Sequence, residues 1–240
     1  MEIEKFEEIL NKYLKEINME LKKEQTEKFY KYMNLLLEWN EKINLTAITE
    51  PEEVILKHFV DSLTISKYIE KDSKLVDMGT GAGFPGIPLK ILRDDIEITL
   101  ADSLNKRINF LNEVIKELNL KNIQTVHTRA EEFGKNKKYR ESFDIATSRA
   151  VANLSTLSEY LIPLVKPSGK TICMKGSEIK EEVEMAKKAI EILGGKIEQE
   201  ESFNLPNSDM KRNVIIIKKV KNTPAKYPRK PGMPAKEPIR

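Results

Sequence analysis

Val76-Asp77-Met78-Gly79-Thr80-Gly81-Ala82-Gly83-Phe84-Pro85-Gly86 is the stretch whose reading decides the fold. An apolar run, Leu75 to Met78, precedes it and reads as a strand; Gly86 to Leu92 follows and reads as a helix. Glycines between a strand and a helix allow a tight turn and let a ligand lie against bare backbone, with the amides of the helix start facing it. Gly81, Gly83 and Gly86 also satisfy the G-x-G-x-x-G spacing of dinucleotide folds, which taken alone is a weak signal.

Downstream, short apolar runs alternate with helical segments. Ile96 to Ala101, Ile123 to His127, Phe143 to Thr147 and Thr171 to Met174 read as further strands. Between them, helices are expected at Leu104 to Leu118, around Glu131 and at Leu154 to Val165, and a long one at Glu178 to Leu193, stopped by Gly194 and Gly195. This alternation predicts an α/β protein with a doubly wound parallel sheet. Lys196 to Phe203 and Asn213 to Val220 are expected to pair as antiparallel edge strands.

Upstream, the first 70 residues read as helical. Phe6, Ile9, Leu10, Tyr13, Leu14 and Ile17 recur at offsets of three and four, as do Phe29, Tyr32, Met33, Leu36 and Leu37. Thr49 with Glu52, and Pro51 between them, predicts a capping-box start for a third helix running past His58. The organisation expected is a helical extension over 1–70, a core over 71–220 and a basic, proline-rich tail over 221–240.

The chain has 240 residues, 40% of them apolar, enough for one full core. Cys173 is the single cysteine, which excludes an internal disulfide and a thiol cluster for zinc and points to a reducing compartment. No run of about eighteen apolar residues suggests a membrane span, and the first residues do not form a signal peptide. A soluble, cytoplasmic protein is expected. The net charge of +3 hides an asymmetry: after Val220, Lys221, Lys226, Arg229, Lys230, Lys236 and Arg240 stand against Glu237 alone. Such an end suggests a contact surface for an anion, the alternative being a solvated tail.

Two acids turn the loop away from nicotinamide cofactors or fit both classes. Asp77, just inside the loop, would repel a pyrophosphate but attract the cationic amino acid end of S-adenosylmethionine. Asp102, ending the second strand, is placed to accept from ribose hydroxyls, or to cap a helix before Leu104. Arg129-Ala130-Glu131 follows the third strand, where this architecture holds adenine, although Glu131 also suits a first-turn helix acid. Arg149, at the end of the fourth strand, is expected to face the site.

Thr147-Ser148-Arg149-Ala150 lacks the Asn/Asp-Pro-Pro-aromatic grip of adenine-type amine methyltransferases. Cys173, within an apolar strand, reads as buried and inert rather than as the nucleophile that pyrimidine carbon methylation needs. A ring nitrogen such as the guanine seven-position needs no general base, and alignment alone would serve it. His58 and His127 have no obvious carboxylate partner and read as structural. Neither a catalytic base nor a metal ligand is assigned.

The chain resembles the bacterial RsmG, or GidB, family, which methylates the guanine seven-position nitrogen in 16S ribosomal RNA. The resemblance covers nearly the whole chain. It rests on Trp39-Asn40-Glu41-Lys42-Ile43-Asn44-Leu45-Thr46, Lys57-His58-Phe59-Val60-Asp61-Ser62-Leu63, the segment from Asp77 to Gly86, Thr147 to Ala150, Met174-Lys175-Gly176, and Tyr227 to Lys236. It implies a class I, Rossmann-like methyltransferase fold and S-adenosyl-L-methionine as cofactor. Gly79, Gly81 and Phe84 would line the cofactor pocket, Asp102 would meet the ribose, Ala130 and Glu131 would flank the adenine, and Arg149 would close the site. Lys175 and the basic tail would contact RNA phosphates, within a small ribosomal subunit or its precursor. The competing readings are a methyltransferase for a small molecule or protein, a nicotinamide-dependent oxidoreductase, and a non-enzymatic RNA-binding protein.

Overall fold

The structure, a computed structural model, describes residues 1–149, 152–176 and 179–240. Ten helices among the described residues are α1 (Ile3–Glu16), α2 (Lys23–Ile43), α3 (Pro51–Val54), α4 (Asp61–Leu63), α5 (Gly86–Leu92), α6 (Asn105–Glu117), α7 (Ala130–Lys135), α8 (Leu154–Leu161), α9 (Lys180–Leu193) and α10 (Met233–Lys236). The strands are β1 (Lys74–Met78), β2 (Glu97–Asp102), β3 (Ile123–His127), β4 (Phe143–Arg149), β5 (Val165–Lys175), β6 (Gly195–Asn204) and β7 (Lys211–Lys219). They form one seven-stranded sheet in the order β3-β2-β1-β4-β5-β7-β6. β1 to β5 pair in parallel, whereas β7 runs antiparallel to β5 and to β6.

Successive strand residues point to opposite faces, so a sheet buried on both sides needs apolar residues at nearly every position. Leu75, Leu100, Ile145 and Ile172 enter the core beneath α5, α6 and the N-terminal helices. Their neighbours Val76, Ala101, Ala146 and Cys173 enter the other core, beneath α8 and α9. Cys173 is fully buried, and burial pushes its thiol up to about 12. None of the described helices is long and apolar enough to cross a membrane.

The expected pair of edge strands is only half an edge. β6 lies at the border with Glu198 and Glu200 exposed, but β7 sits between β5 and β6. The reason is composition: Val214 to Ile217 is an apolar run buried throughout, suited to an internal strand. The helix expected over Leu154 to Val165 ends at Leu161. A 3₁₀ turn, Ile162–Leu164, follows, containing Pro163, which lacks the amide a continuing helix needs. Of the helix expected from Glu178, the described part begins at Lys180; Glu178 lies outside the described residues, as does Ala150.

The capping box at Thr49 does not form. Glu50 is the N-cap and no side chain caps it. Glu52 instead accepts from the Tyr13 hydroxyl at 2.9 Å, a tertiary partner on α1 that the local pattern does not announce. Nor does the third helix run on as an α-helix: Ile55–Val60 is a π-helical turn between α3 and α4. Phe59 within it packs edge-on against Phe6 of α1 and against Phe29 and Tyr32 of α2, with ring centres 5.1 to 6.4 Å apart. Tyr32 then donates to the carbonyl of Ala82 and packs against Phe84, which ties the N-terminal helices to the glycine loop.

The end of the chain is packed, not free. Tyr227 is buried in the core beneath α8. Arg140 donates to the carbonyls of Thr223 and Tyr227, both at 2.7 Å. The Pro234 carbonyl accepts from Thr156 at 2.9 Å.

Candidate active site

β1, β2 and β4 end at a cavity of about 700 Å³, inside the range of roughly 300–1,000 Å³ that small-molecule sites occupy. Gly79, Gly81, Phe84, Asp102, Ala130, Glu131 and Arg149 all line it. The glycine loop is pinned at its start, where the Gly79 and Thr80 amides donate to the Ala101 carbonyl at 2.8 and 3.2 Å. Gly79 and Gly81 have φ of +70° and +63°, the left-handed region that favours glycine. At Gly81 a β-carbon would project into open space, so the backbone there is bare toward the cavity.

Asp77 differs from its sequence expectation. It is fully buried and does not line the cavity. Its Oδ2 accepts from the Thr80 hydroxyl at 2.6 Å and the Gly86 amide at 2.9 Å, so it braces the loop from behind instead of facing a ligand. Burial pushes its carboxyl up to about 6, against those two hydrogen bonds and the charge of Arg149.

Asp102 is 2% exposed and holds three donors: the Gly81 amide at 3.0 Å, the Leu104 amide at 2.9 Å and the Arg107 guanidinium at 3.2 Å. It therefore joins the tips of β1 and β2 and also steadies the approach to α6. Ala130 and Glu131 start α7. Glu131 is both a first-turn acid and a cavity residue, and its Oε1 accepts from the Gly232 amide at 2.8 Å, which brings the chain end to the rim.

Arg149 turns inward from β4. Its guanidinium donates to the Lys57 carbonyl at 2.9 Å, to His58 Nδ1 at 2.9 Å and to Asp61 Oδ2 at 3.3 Å, and lies 5.0 Å from the centre of the Phe84 ring. The π-helical turn is what offers a carbonyl and a ring nitrogen to one guanidinium. His58, read from the sequence as structural, lines the cavity and stacks on Phe84 at 4.4 Å. A guanidinium only donates, so Nδ1 accepts and Nε2 carries the proton, which it donates to Thr46 Oγ1 at 2.9 Å. Of the residues missed, Thr46, His58, Tyr160 and Gly232 come from segments whose approach to the strand tips is tertiary, whereas Arg107 lies in the first turn of α6, five residues beyond Asp102. For His58 the one available signal was its place among apolar residues of an otherwise regular helix.

His58 carries a pH dependence. Burial, then the charge of Arg149, lowers its imidazole from 6.5 to about 3. The fold holds the neutral ring, whereas the unfolded chain takes up a proton near 6.5. The His58 contribution to stability is thus complete above 6.5 and is lost as pH falls toward 3, at about 1.4 kcal/mol per pH unit. Urea unfolding of His58→Gln between pH 7 and 4 should lack this part of the slope; an unchanged slope would contradict the buried neutral ring.

Lys175 is 11% exposed and committed to the Ala152 carbonyl at 2.7 Å and to Glu182 at 2.6 Å. Arg229 is likewise committed, to buried Glu159 at 2.7 Å. Neither is a ready phosphate contact, whereas Lys221, Lys226, Lys230, Lys236 and Arg240 are exposed.

The strand order and a cavity over the carboxyl ends of the strands define a Rossmann-like methyltransferase fold. A SAM-dependent methyltransferase from Aquifex aeolicus shares it with a TM-score of 0.52 at 17% identity, over 70% of this chain and 93% of that one. TYW2 from M. jannaschii, solved in complex with AdoMet, does so with a TM-score of 0.52 at 16% identity, over 65% of this chain and 72% of that one. The chain belongs to the GidB family, rRNA small subunit methyltransferase G, whose model matches residues 25–214. Among its relatives, the ribosomal RNA small subunit methyltransferase G of Desulforamulus reducens is 56% identical over 96% of this chain and 97% of that protein. The protein of the same name from Acetivibrio thermocellus is 58% identical over 90% of this chain and 89% of that protein.

Proposed function

We propose that this chain transfers a methyl group from S-adenosylmethionine to the seven-position nitrogen of a guanine in 16S ribosomal RNA, presented by the small ribosomal subunit or its precursor. The observation that carries the reading is one cavity in which the bare side of Gly81 and the carboxylate of Asp102 stand together. The names and identity of the relatives support the RNA substrate.

Within the cavity, the backbone of Gly79 and Gly81 would lie against the amino acid end of the donor, and Asp102 would accept from the ribose. Three of roughly four acceptor sites on that carboxylate are already engaged. Arg107, on the longest of the three contacts and partly exposed, is the partner that yields to the ribose. Ala130 and Glu131 would flank the adenine, while Phe84 and Arg149 would close the site. S-adenosylmethionine, when bound, supplies a methyl group on a positively charged sulfur. A ring nitrogen with a free lone pair could take that methyl group without giving up a proton, so the residues of the cavity would have only to hold base and donor in line. The engagement of both His58 nitrogens suits a transfer that needs no base. The exposed lysines of the chain end, Lys226, Lys230 and Lys236, contact RNA phosphates.

Asp102→Ala should weaken binding of S-adenosylhomocysteine by about 1–3 kcal/mol, since it strands the Gly81 amide as well as the ribose hydroxyls; unaltered affinity in calorimetry would remove Asp102 from the site. The function itself is tested by mass spectrometry of small-subunit RNA from cells lacking the protein. One 7-methylguanosine should disappear and return when the purified enzyme and donor are added to the subunits. An unchanged methylation pattern would refute the reading.

A further inference from the structure

The segment Asn44-Leu45-Thr46 brings to the large cavity a polar group that the donor contacts proposed above do not use. Helix α2 gives way at Asn44 to the left-handed region, with φ of +48°. The Asn40 side chain then accepts from the amides of Leu45 at 2.6 Å and Thr46 at 2.8 Å, which fixes the turn to α2. Leu45 and Thr46 thereby line the cavity together with His58. Thr46 ends a chain of hydrogen bonds whose directions are all determined. The Arg149 guanidinium can only donate, so His58 Nδ1 accepts from it at 2.9 Å and the Nε2–H donates to Thr46 Oγ1 at 2.9 Å. The Ile48 amide donates to the same oxygen at 3.0 Å. A hydroxyl oxygen has two lone pairs, and both are taken. Its O–H must therefore donate, and among the described residues no acceptor meets it. A donor held in one sense on the wall of an open cavity points to a ligand that supplies the acceptor.

We propose that Thr46 is a specificity-determining residue for the target base, donating its hydroxyl to the six-position oxygen of the guanine. The proposal rests on the function proposed above. In guanine that oxygen and the seven-position nitrogen stand side by side on one edge of the base. A base held through its oxygen at Thr46 therefore keeps the nitrogen on the edge turned into this cavity, the same space in which Gly79, Gly81 and Asp102 would seat the methyl donor. Adenine carries an amine in place of the oxygen and would set donor against donor. The hydroxyl cannot turn to accept, because His58 and Ile48 hold both lone pairs, so the same contact rejects adenine. Leu45, beside Thr46, supplies apolar wall for a ring face.

The test uses small subunits reconstituted with RNA that carries guanine or 2-aminopurine at the methylated position. That analogue keeps the seven-position nitrogen and the two-position amine and lacks the six-position oxygen. Single-turnover rates are measured at saturating S-adenosylmethionine, and the guanine-to-2-aminopurine rate ratio is compared between enzymes. Thr46→Val removes the O–H and should lower that ratio roughly fivefold to thirtyfold from the wild-type value. Thr46→Ser, which keeps the O–H, should hold the wild-type ratio. A purely structural defect lowers both rates of a variant by the same factor, and the intrinsic reactivity of each base is common to all the enzymes, so neither moves the comparison. An unchanged ratio in Thr46→Val would overturn the assignment, and would do so equally if the hydroxyl serves the methyl donor instead of the base. Calorimetry with S-adenosylhomocysteine checks that the variant is folded; if it is not, Thr46→Ala, which removes the hydroxyl and adds no apolar bulk, is read by the same ratio. If wild-type enzyme methylates neither RNA, the function proposed above fails, a result distinct from failure of the Thr46 contact.

Discussion

Arg149→Ala is expected to lower the single-turnover methylation rate by a hundredfold or more, the scale seen when a positioning group of an alignment-driven reaction is lost. Arg149 touches the π-helical turn, through the Lys57 carbonyl and His58, and Asp61 of α4, while lying over Phe84 at the cavity wall. Its removal leaves the Asp61 carboxylate with Arg212 alone and His58 Nδ1 without a donor. Breaking a buried ion pair from one side costs about 3–5 kcal/mol, so urea unfolding should show a loss of that order. Arg149→Lys should not restore the rate, because an ammonium group presents its three donors from one nitrogen, whereas these acceptors are spread over two nitrogens of a planar fork. Full activity of the lysine variant would show that charge alone matters there and that the cavity wall built by Arg149 and His58 is not what aligns the reaction.

The second large effect concerns the end of the chain. Glu159 on α8 is fully buried, and Arg229 answers it with its backbone amide at 2.7 Å, Nε at 3.0 Å and Nη2 at 2.7 Å. Arg229→Ala would leave that carboxylate in the core without its cation, at a cost of about 3–5 kcal/mol. Replacing both partners by apolar residues, Glu159→Leu with Arg229→Met, should recover most of the loss, since no charge is then left buried. Loss of Arg229 should also loosen Gly232 from Glu131 and so weaken binding of S-adenosylhomocysteine. A single variant as stable as wild type would mean that the chain end is not anchored through this pair.

The same pair shows where sequence reading stops. Six basic residues after Val220 read as a charged tail because composition counts charges without asking which are already paired. Leu154-Ser155-Thr156-Leu157-Ser158-Glu159 mixes leucines with hydroxyl residues and does not announce that its glutamate is buried; once it is, a cation must reach the core. Cutting the chain after Val220 would therefore remove a piece of the core, not merely a set of charges.

Other features were readable because their cause is local. Alternation between Leu75 and Val76, or Ile172 and Cys173, fills two cores and so marks a two-sided sheet in the sequence itself. The glycines from Gly79 to Gly86 place the turn, and Asp102 follows at the neighbouring strand tip, because ligand-binding backbone needs those residue types. The π-helical turn had no such mark: Ile55 to Val60 carries the same apolar spacing as an α-helix, and its Phe59 contacts on α1 and α2 are distant in sequence. Asp77 was placed correctly along the chain but on the wrong side of the loop. Its bonds to Thr80 and Gly86 close across residues that the strand-turn-helix reading leaves open.

A crystal structure of the protein with S-adenosylhomocysteine bears on the central claim most directly. The ligand should lie over the ends of β1 and β2, with its ribose hydroxyls on Asp102, its amino acid end along Gly79 and Gly81, and its adenine beside Ala130. Ligand density anywhere else, or a ribose turned away from Asp102 with Arg107 still on that carboxylate, would contradict it.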